Sequence, residues 1–239
     1  MAAVVDDRAV CCGHHRVCES CEVRDLAVCR VLSPEELRRF AALARHVTLE
    51  SGATLFHEGD PATHVYSLTR GYLRLCKLLA DGRRQITGFL VPGDFIGLAF
   101  ADTYVYSAEA LGPTRLCAFA RTAFQDWLAR TPHLEHELLG RARGELAAAQ
   151  EQMLLLGRKS ARERVASFLL AFARRLGREP GETVPLPMTR TDIADYLGLT
   201  IETVSRTLSG LRREGLIELV GKNGYRIRHA AALEAVAAL

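Results

Sequence analysis

Cys18, Cys21 and Cys29 form a C-x2-C-x7-C array near the start of a chain of 239 residues. Thiolates are soft ligands, and a two-residue gap lets neighbouring cysteines reach one centre, so the array suits zinc or an iron–sulfur cluster. Both need a fourth ligand. Cys117, in Leu116-Cys117-Ala118-Phe119, and Cys76, in a strand-like run, are candidates, and His14 and His15 are local alternatives that favour a closed zinc knuckle. Cys76 also reads as a small buried apolar residue, and Cys11 and Cys12 read as redox bystanders. A second constellation lies far downstream, where Glu202, Ser205 and Arg206 are the residue types that read base edges in a major groove. No catalytic acid–base constellation stands out, so an enzyme is not expected.

The elements that must position these groups can be traced outward from them. Thr189 and Asp192 form a helix N-terminal capping arrangement. Ile193, Ala194 and Leu197 supply a short apolar face, Gly198 breaks the helix, and Thr200 caps a second one with a Val204, Leu208, Leu211 stripe. That is a helix-turn-helix pattern, and it leaves Glu202, Ser205 and Arg206 outward at the start of the second helix. Beyond Gly215, Leu216–Leu219 and Tyr225–Ile227 flank Gly221-Lys222-Asn223-Gly224, a hairpin or wing. Thr191, Thr200, Thr203, Lys222 and Arg226 are the expected contacts to the DNA backbone, with Arg228 nearby.

The cysteine-rich start, about 1–31, shows little apolar periodicity and reads as a segment that needs a ligand to become ordered. Ser33-Pro34-Glu35-Glu36 predicts a short helix. From about 47 to 120, turn signals such as Asp81-Gly82 and Gly93-Asp94 recur at roughly ten-residue intervals between apolar runs, which predicts a small antiparallel sandwich or barrel. Leu139, Ala142, Leu146, Ala149, Met153 and Leu156 then alternate in steps of three and four, a coiled-coil seam. Two half-sites need two heads, so a parallel homodimer is expected, and the two alanines make the seam thin and switchable. Ala161–Leu176 predicts another amphipathic helix.

The net charge of +3 is unevenly placed. Residues 158–229 carry 14 Lys/Arg against 8 Asp/Glu, a net of +6, leaving −3 for the rest. A basic C-terminal third fits a phosphate-binding surface. Asp6, Asp7 and Arg8 interrupt the N-terminus, so no secretory signal is expected. No apolar run approaches the roughly 20 residues of a membrane helix. A cytoplasmic protein without membrane contact is the expectation, and its clustered cysteines then point to metal or redox chemistry rather than disulfides.

On Gln85–Phe89, Gly93-Asp94-Phe95-Ile96-Gly97, Met153–Leu156 and Tyr196–Arg206, the chain resembles the fumarate-nitrate reduction regulator (FNR) type of the cyclic-AMP receptor superfamily over nearly its whole length. The C-x7-C gap looks like that of the FnrL/FnrN regulators of alphaproteobacteria. The resemblance implies an α+β chain with an N-terminal cyclic-nucleotide-binding-like β-roll, a long dimerisation helix and a C-terminal winged helix-turn-helix. The corresponding bounds are a cluster-binding segment at 1–31, a β-roll at 32–131, a dimerisation helix at 132–158 and a DNA-binding domain at 159–239. It also implies a four-iron four-sulfur (4Fe-4S) cluster on Cys18, Cys21, Cys29 and Cys117 that reports oxygen. The intact cluster would favour the dimer, and Glu202, Ser205 and Arg206 would read a TTGAT-N4-ATCAA-like inverted repeat controlling anaerobic or microaerobic genes. Zinc or a thiol switch is the alternative. Nucleotide-binding members carry a Glu after the glycine turn and an Arg-Ser pair, where this chain has Leu98 after Gly97 and Tyr106 before Ser107. Without that arginine a cyclic phosphate lacks its charged partner. In the family the Asp81-Gly82 hairpin lies near a surface for RNA polymerase, and here it carries Arg83-Arg84.

Overall fold

The computed structural model describes residues 4–5, 18, 21–98 and 102–238, so Cys11, Cys12, His14 and His15 lie outside the described residues. The chain divides into two compact units: Met1–Lys77 with Thr87–Glu145, and Leu78–Ile86 with Leu146–Leu239. Among the described residues no helix is long and apolar enough to cross a membrane.

The first unit is a roll of two antiparallel sheets. One has the order β1-β2-β9-β4-β7, built from Val4–Val5, Ala44–Leu49, Thr114–Ala120, His64–Arg70 and Phe95–Ile96. The other has the order β3-β8-β5-β6, built from Thr54–Phe56, Ser107–Ala110, Leu73–Leu78 and Arg84–Leu90. A single apolar core draws on both sheets, with Leu68 and Leu116 from the first and Leu73 and Ala108 from the second. Aromatic rings crowd it: Phe56 stacks on Tyr104 with centroids 3.7 Å apart and lies 5.9 Å from Tyr66 and from Tyr106.

A second core covers the other face of the five-stranded sheet. It joins Val28 and Leu32, Phe40 of α1 (Pro34–Ala41), Phe119 of β9, Phe124 of α2 (Arg121–Leu128) and Leu134 and Leu138 of α3 (Pro132–Arg158). Helix α1 starts as its sequence requires: Ser33 and Glu36 form a reciprocal capping box, with Pro34 in the first turn.

In the second unit Ser160 and Glu163 cap α4 (Ala161–Arg175) in the same way. Thr189 and Asp192 cap α5 (Arg190–Leu197), which ends at Gly198 in the left-handed conformation, φ 61° and ψ 43°. Thr200 then caps α6 (Ile201–Arg213), whose Val204, Leu208 and Leu211 are buried. A three-stranded sheet of order β10-β12-β11 (Thr183–Pro185, Gly224–Ile227, Ile217–Leu219) forms the wing. Tyr225 locks it down by donating its hydroxyl to Leu169 O at 2.6 Å. Helix α7 (Ala230–Ala238) packs on α4.

Candidate cysteine centre and nucleic-acid interface

Strand alternation decides where Cys117 points. Along β9, Thr114, Leu116 and Ala118 are buried, and the latter two belong to the core between the sheets. Successive side chains leave opposite faces of a strand. Cys117 and Phe119 therefore meet the outer core, where Cys18 and Cys29 also pack. Cys76 lies instead on the four-stranded sheet, 2% exposed and paired in register with Ser107.

The segment carrying the other thiols is held by tight turns. Cys21 N donates to Cys18 O at 3.4 Å and Arg24 N to Cys21 O at 3.1 Å, and a 3-10 turn over Val28–Val31 presents Cys29. Buried Val23, Ala27 and Val28 anchor the segment. Burial pushes the Cys29 thiol up to about 12, and Cys18 and Cys21 add to the shift. Burial likewise raises Cys117, and Cys18, Cys29 and Cys21 each contribute. Cys18 is raised by burial and by Cys21, against a lowering influence from Arg24. The four thiols thus share one locality, and in it Cys18, Cys29 and Cys117 are harder to ionise than a free thiol. Among the described residues no three Cys, His, Asp or Glu side chains are already arranged around a common metal position. The His46 ring Nδ1 stands 3.9 Å from Cys117 Sγ, because His46 and Cys117 are register partners across β2 and β9. Half-buried thiols gathered in one locality suit a cation that replaces their protons, since a metal-bound thiol is deprotonated outright.

At the other candidate interface the first turn of α6 is open. Glu202, Ser205 and Arg206 are exposed, as are Thr191 and Thr200, while Thr203 is half-buried. Glu202 is held below the usual carboxylate range by its own backbone amide and the Thr200 hydroxyl, with Arg206 helping, so it stays an acceptor. Arg206 Nη2 reaches Thr203 Oγ1 at 3.4 Å, a weak tether. Lys222 is exposed at the wing tip. Arg226 is engaged differently: it pairs with Glu218 at 3.2 Å and donates to Thr183 Oγ1 at 2.9 Å, its register partners on the two flanking strands. Arg228 also approaches Glu218, at 3.4 Å.

Two arginines whose partners the sequence pattern did not reveal brace the helix-turn-helix within the C-terminal unit. Arg84, in the hairpin tip that groups with the C-terminal unit, binds Asp192 Oδ1 at 2.9 Å and Asp195 Oδ2 through Nη2 at 2.7 Å. Gln85 adds a bond to Asp195 O at 2.7 Å. Arg164 donates to Leu156 O and Lys159 O at 2.8 Å and to Leu197 O at 2.9 Å, joining the end of α3 to the helix-turn-helix. Nothing in their local spacing tells which groups either residue will meet.

The seam on α3 stands open. Leu139, Leu146 and Met153 are 50%, 61% and 66% exposed, Ala142 and Ala149 are exposed, and Leu156 is half-buried. Leu139 and Ala142 also line a cleft of about 460 Å³ with Leu98, Phe124 and Leu138.

Comparison with known proteins agrees with this architecture. Residues 46–131 match the family described as a cyclic nucleotide-binding domain, and residues 163–236 the Crp-like helix-turn-helix domain. The nitrogen fixation regulation protein FixK of Bradyrhizobium diazoefficiens is 47% identical over 228 residues, 95% of each chain. The transcriptional activator protein FnrL of Cereibacter sphaeroides is 42% identical over 214 residues, covering 87% of this chain and 86% of that one. The structure of FixK2 from Bradyrhizobium japonicum superposes with a TM-score of 0.76 at 39% identity, over 81% of this chain and 96% of the other. With a roll, a long helix and a winged head in the same order, and near-half identity along almost the full length, the chain belongs to the CRP/FNR family of DNA-binding transcription regulators.

Proposed function

We propose that this regulator senses oxygen through a 4Fe-4S cluster held by Cys18, Cys21, Cys29 and Cys117, and that the loaded form is the DNA-binding dimer. The observation that carries the reading is the outward placement of Cys117 on β9, in the same apolar locality as the segment thiols. When bound, the cluster supplies an oxygen-labile link between that segment and the sheet. The chain's own residues do the rest. Val23, Ala27 and Val28 seat the segment, Cys117 ties it to β9, and the exposed Leu139, Leu146 and Met153 offer a face for a second copy. Two copies set two α6 helices to read an inverted repeat resembling TTGAT-N4-ATCAA. Arg206 donates twice to guanine, Glu202 accepts from a cytosine amino group and Ser205 contacts a neighbouring base or the backbone. Activation of anaerobic or microaerobic genes through RNA polymerase follows from this reading, and the similarity to the transcriptional activator protein FnrL supports the activating role. The aromatic filling of the roll by Phe56, Tyr66, Tyr104 and Tyr106 supports a signal other than a cyclic nucleotide.

The test is iron, sulfide and zinc analysis with an absorption spectrum on protein purified without oxygen, before and after exposure to air, in wild type and Cys117→Ala. The expected result is about four irons per chain and a brown colour that bleaches in air, with both lost in the variant. A colourless protein holding one zinc and indifferent to air would replace oxygen sensing with a structural zinc site. Unchanged iron in the Cys117→Ala protein would remove Cys117 from the ligand set.

A further inference from the structure

Glu137 and Arg141 lie one turn apart on α3 and form an ion pair at 3.0 Å. On its other side Glu137 accepts two bonds from Arg30, from Nε at 3.1 Å and from Nη2 at 2.8 Å. The Arg141 guanidinium reaches onward to two main-chain oxygens, donating to Leu26 O at 2.6 Å and to Gly93 O at 3.1 Å. Leu26 lies between Cys21 and Cys29, and Arg30 directly follows Cys29. One network therefore joins the cysteine segment, the turn before β7 and the long helix.

The fit is close. A Cβ built on Gly93, whose φ is +100°, would stand 2.7 Å from Leu26 Cβ, so only glycine lets the segment rest on this turn. The Glu137 side chain is 11% exposed, and taking away one arginine would leave a largely buried carboxylate short of a partner. Position along α3 gives the network its consequence. Leu138 is buried and Arg141 half-buried, and from Ala142 to Glu151 every residue is exposed. Arg141 is the last anchored side chain before the open stretch of the seam.

We propose that Glu137 and Arg141 are positioning residues that pass the state of the cysteine segment to the dimer seam of α3. The inference rests on the oxygen-sensing reading above. While the segment is seated, Leu26 O and Arg30 complete the network and hold the turn carrying Leu139 and Ala142 in one orientation. When the segment leaves, Arg141 loses Leu26 O and Glu137 loses Arg30, and that turn is released. A ligand biases an equilibrium only through contacts that differ between the two states, and these bonds are the contacts that differ.

The test uses full-length wild type, Arg141→Gln and Glu137→Gln. Iron per chain and the dimer dissociation constant by analytical ultracentrifugation are measured without oxygen and after air exposure. Wild type is expected to dimerise about tenfold or more tightly when loaded, within the ordinary range of linked sites. Both variants should keep wild-type iron while that ratio falls towards one, a split that a purely structural role would not produce. Variants that keep the wild-type ratio, or lose iron together with it, would overturn the relay. A wild type with neither iron nor an air-dependent ratio would sink the oxygen reading and the relay with it, and that failure is visible in the wild type alone.

Discussion

Arg206 and Arg226 show how the fate of a charged group depends on what the fold sets beside it. Arg206 is exposed and only weakly tethered to Thr203, so redirecting it to a guanine edge costs little. Replacing it by alanine is expected to remove about 1–3 kcal/mol of discrimination at one base pair of each half-site. Fluorescence anisotropy with matched and substituted half-sites would show this, and an equal loss on both would move Arg206 from base reading to phosphate contact. Its outward place was legible, because Val204, Leu208 and Leu211 claim the inward face of a 3.6-residue repeat. Arg226 had no such signal. Its ion pair arises from cross-strand register, with Glu218 on β11 and Thr183 on β10 on either side of the central strand β12.

At the level of elements, the helix-turn-helix combines local instructions with one distant support. The capping of α5 by Thr189 and Asp192, the left-handed Gly198 and the Thr200 cap lie within a few residues of the groups they serve. Asp192 does more than cap. It is 1% exposed and also receives Arg84 from the hairpin tip, 108 residues away. Arg84→Ala would take the guanidinium away from that carboxylate while its capping donors stay. Breaking a fully buried pair costs about 3–5 kcal/mol. Arg84 is itself 23% exposed, so a loss of roughly 2 kcal/mol is expected, less than for a fully buried pair. Urea unfolding followed through the C-terminal unit would register it as a lower midpoint. An unchanged midpoint would mean that the capping donors suffice for Asp192. The sequence pattern placed Arg83 and Arg84 together on an exposed hairpin, and only the second is drawn onto α5, while Arg83 pairs with Asp81 at 2.7 Å.

For the molecule as a whole, the open face of α3 has the largest consequence. A helix whose apolar residues are this exposed lacks the tertiary packing that stabilises most helices, and in the proposed dimer a second copy would supply it. Leu146→Asp, at the centre of the exposed run, is expected to weaken the dimer at least tenfold and DNA binding with it. Sedimentation of the loaded protein would measure the first and anisotropy the second. Dimerisation that survives the substitution would put the interface elsewhere. The seam itself was readable from its three-and-four spacing, as were the capping boxes, the turn glycine and the C-x2-C pair, since each depends on neighbours along the chain. Even the face taken by Cys117 follows from alternation once β9 is known to be a strand. What tertiary structure alone decided is which distant groups meet: Arg84 with Asp192, Arg30 with Glu137, and Arg141 with Leu26, partners separated by 107 to 115 residues. Periodicity reports the face a residue takes within its own element. It carries no information about which other element will lie against that face, because that is set by how sheets and helices pack after the chain has turned back on itself.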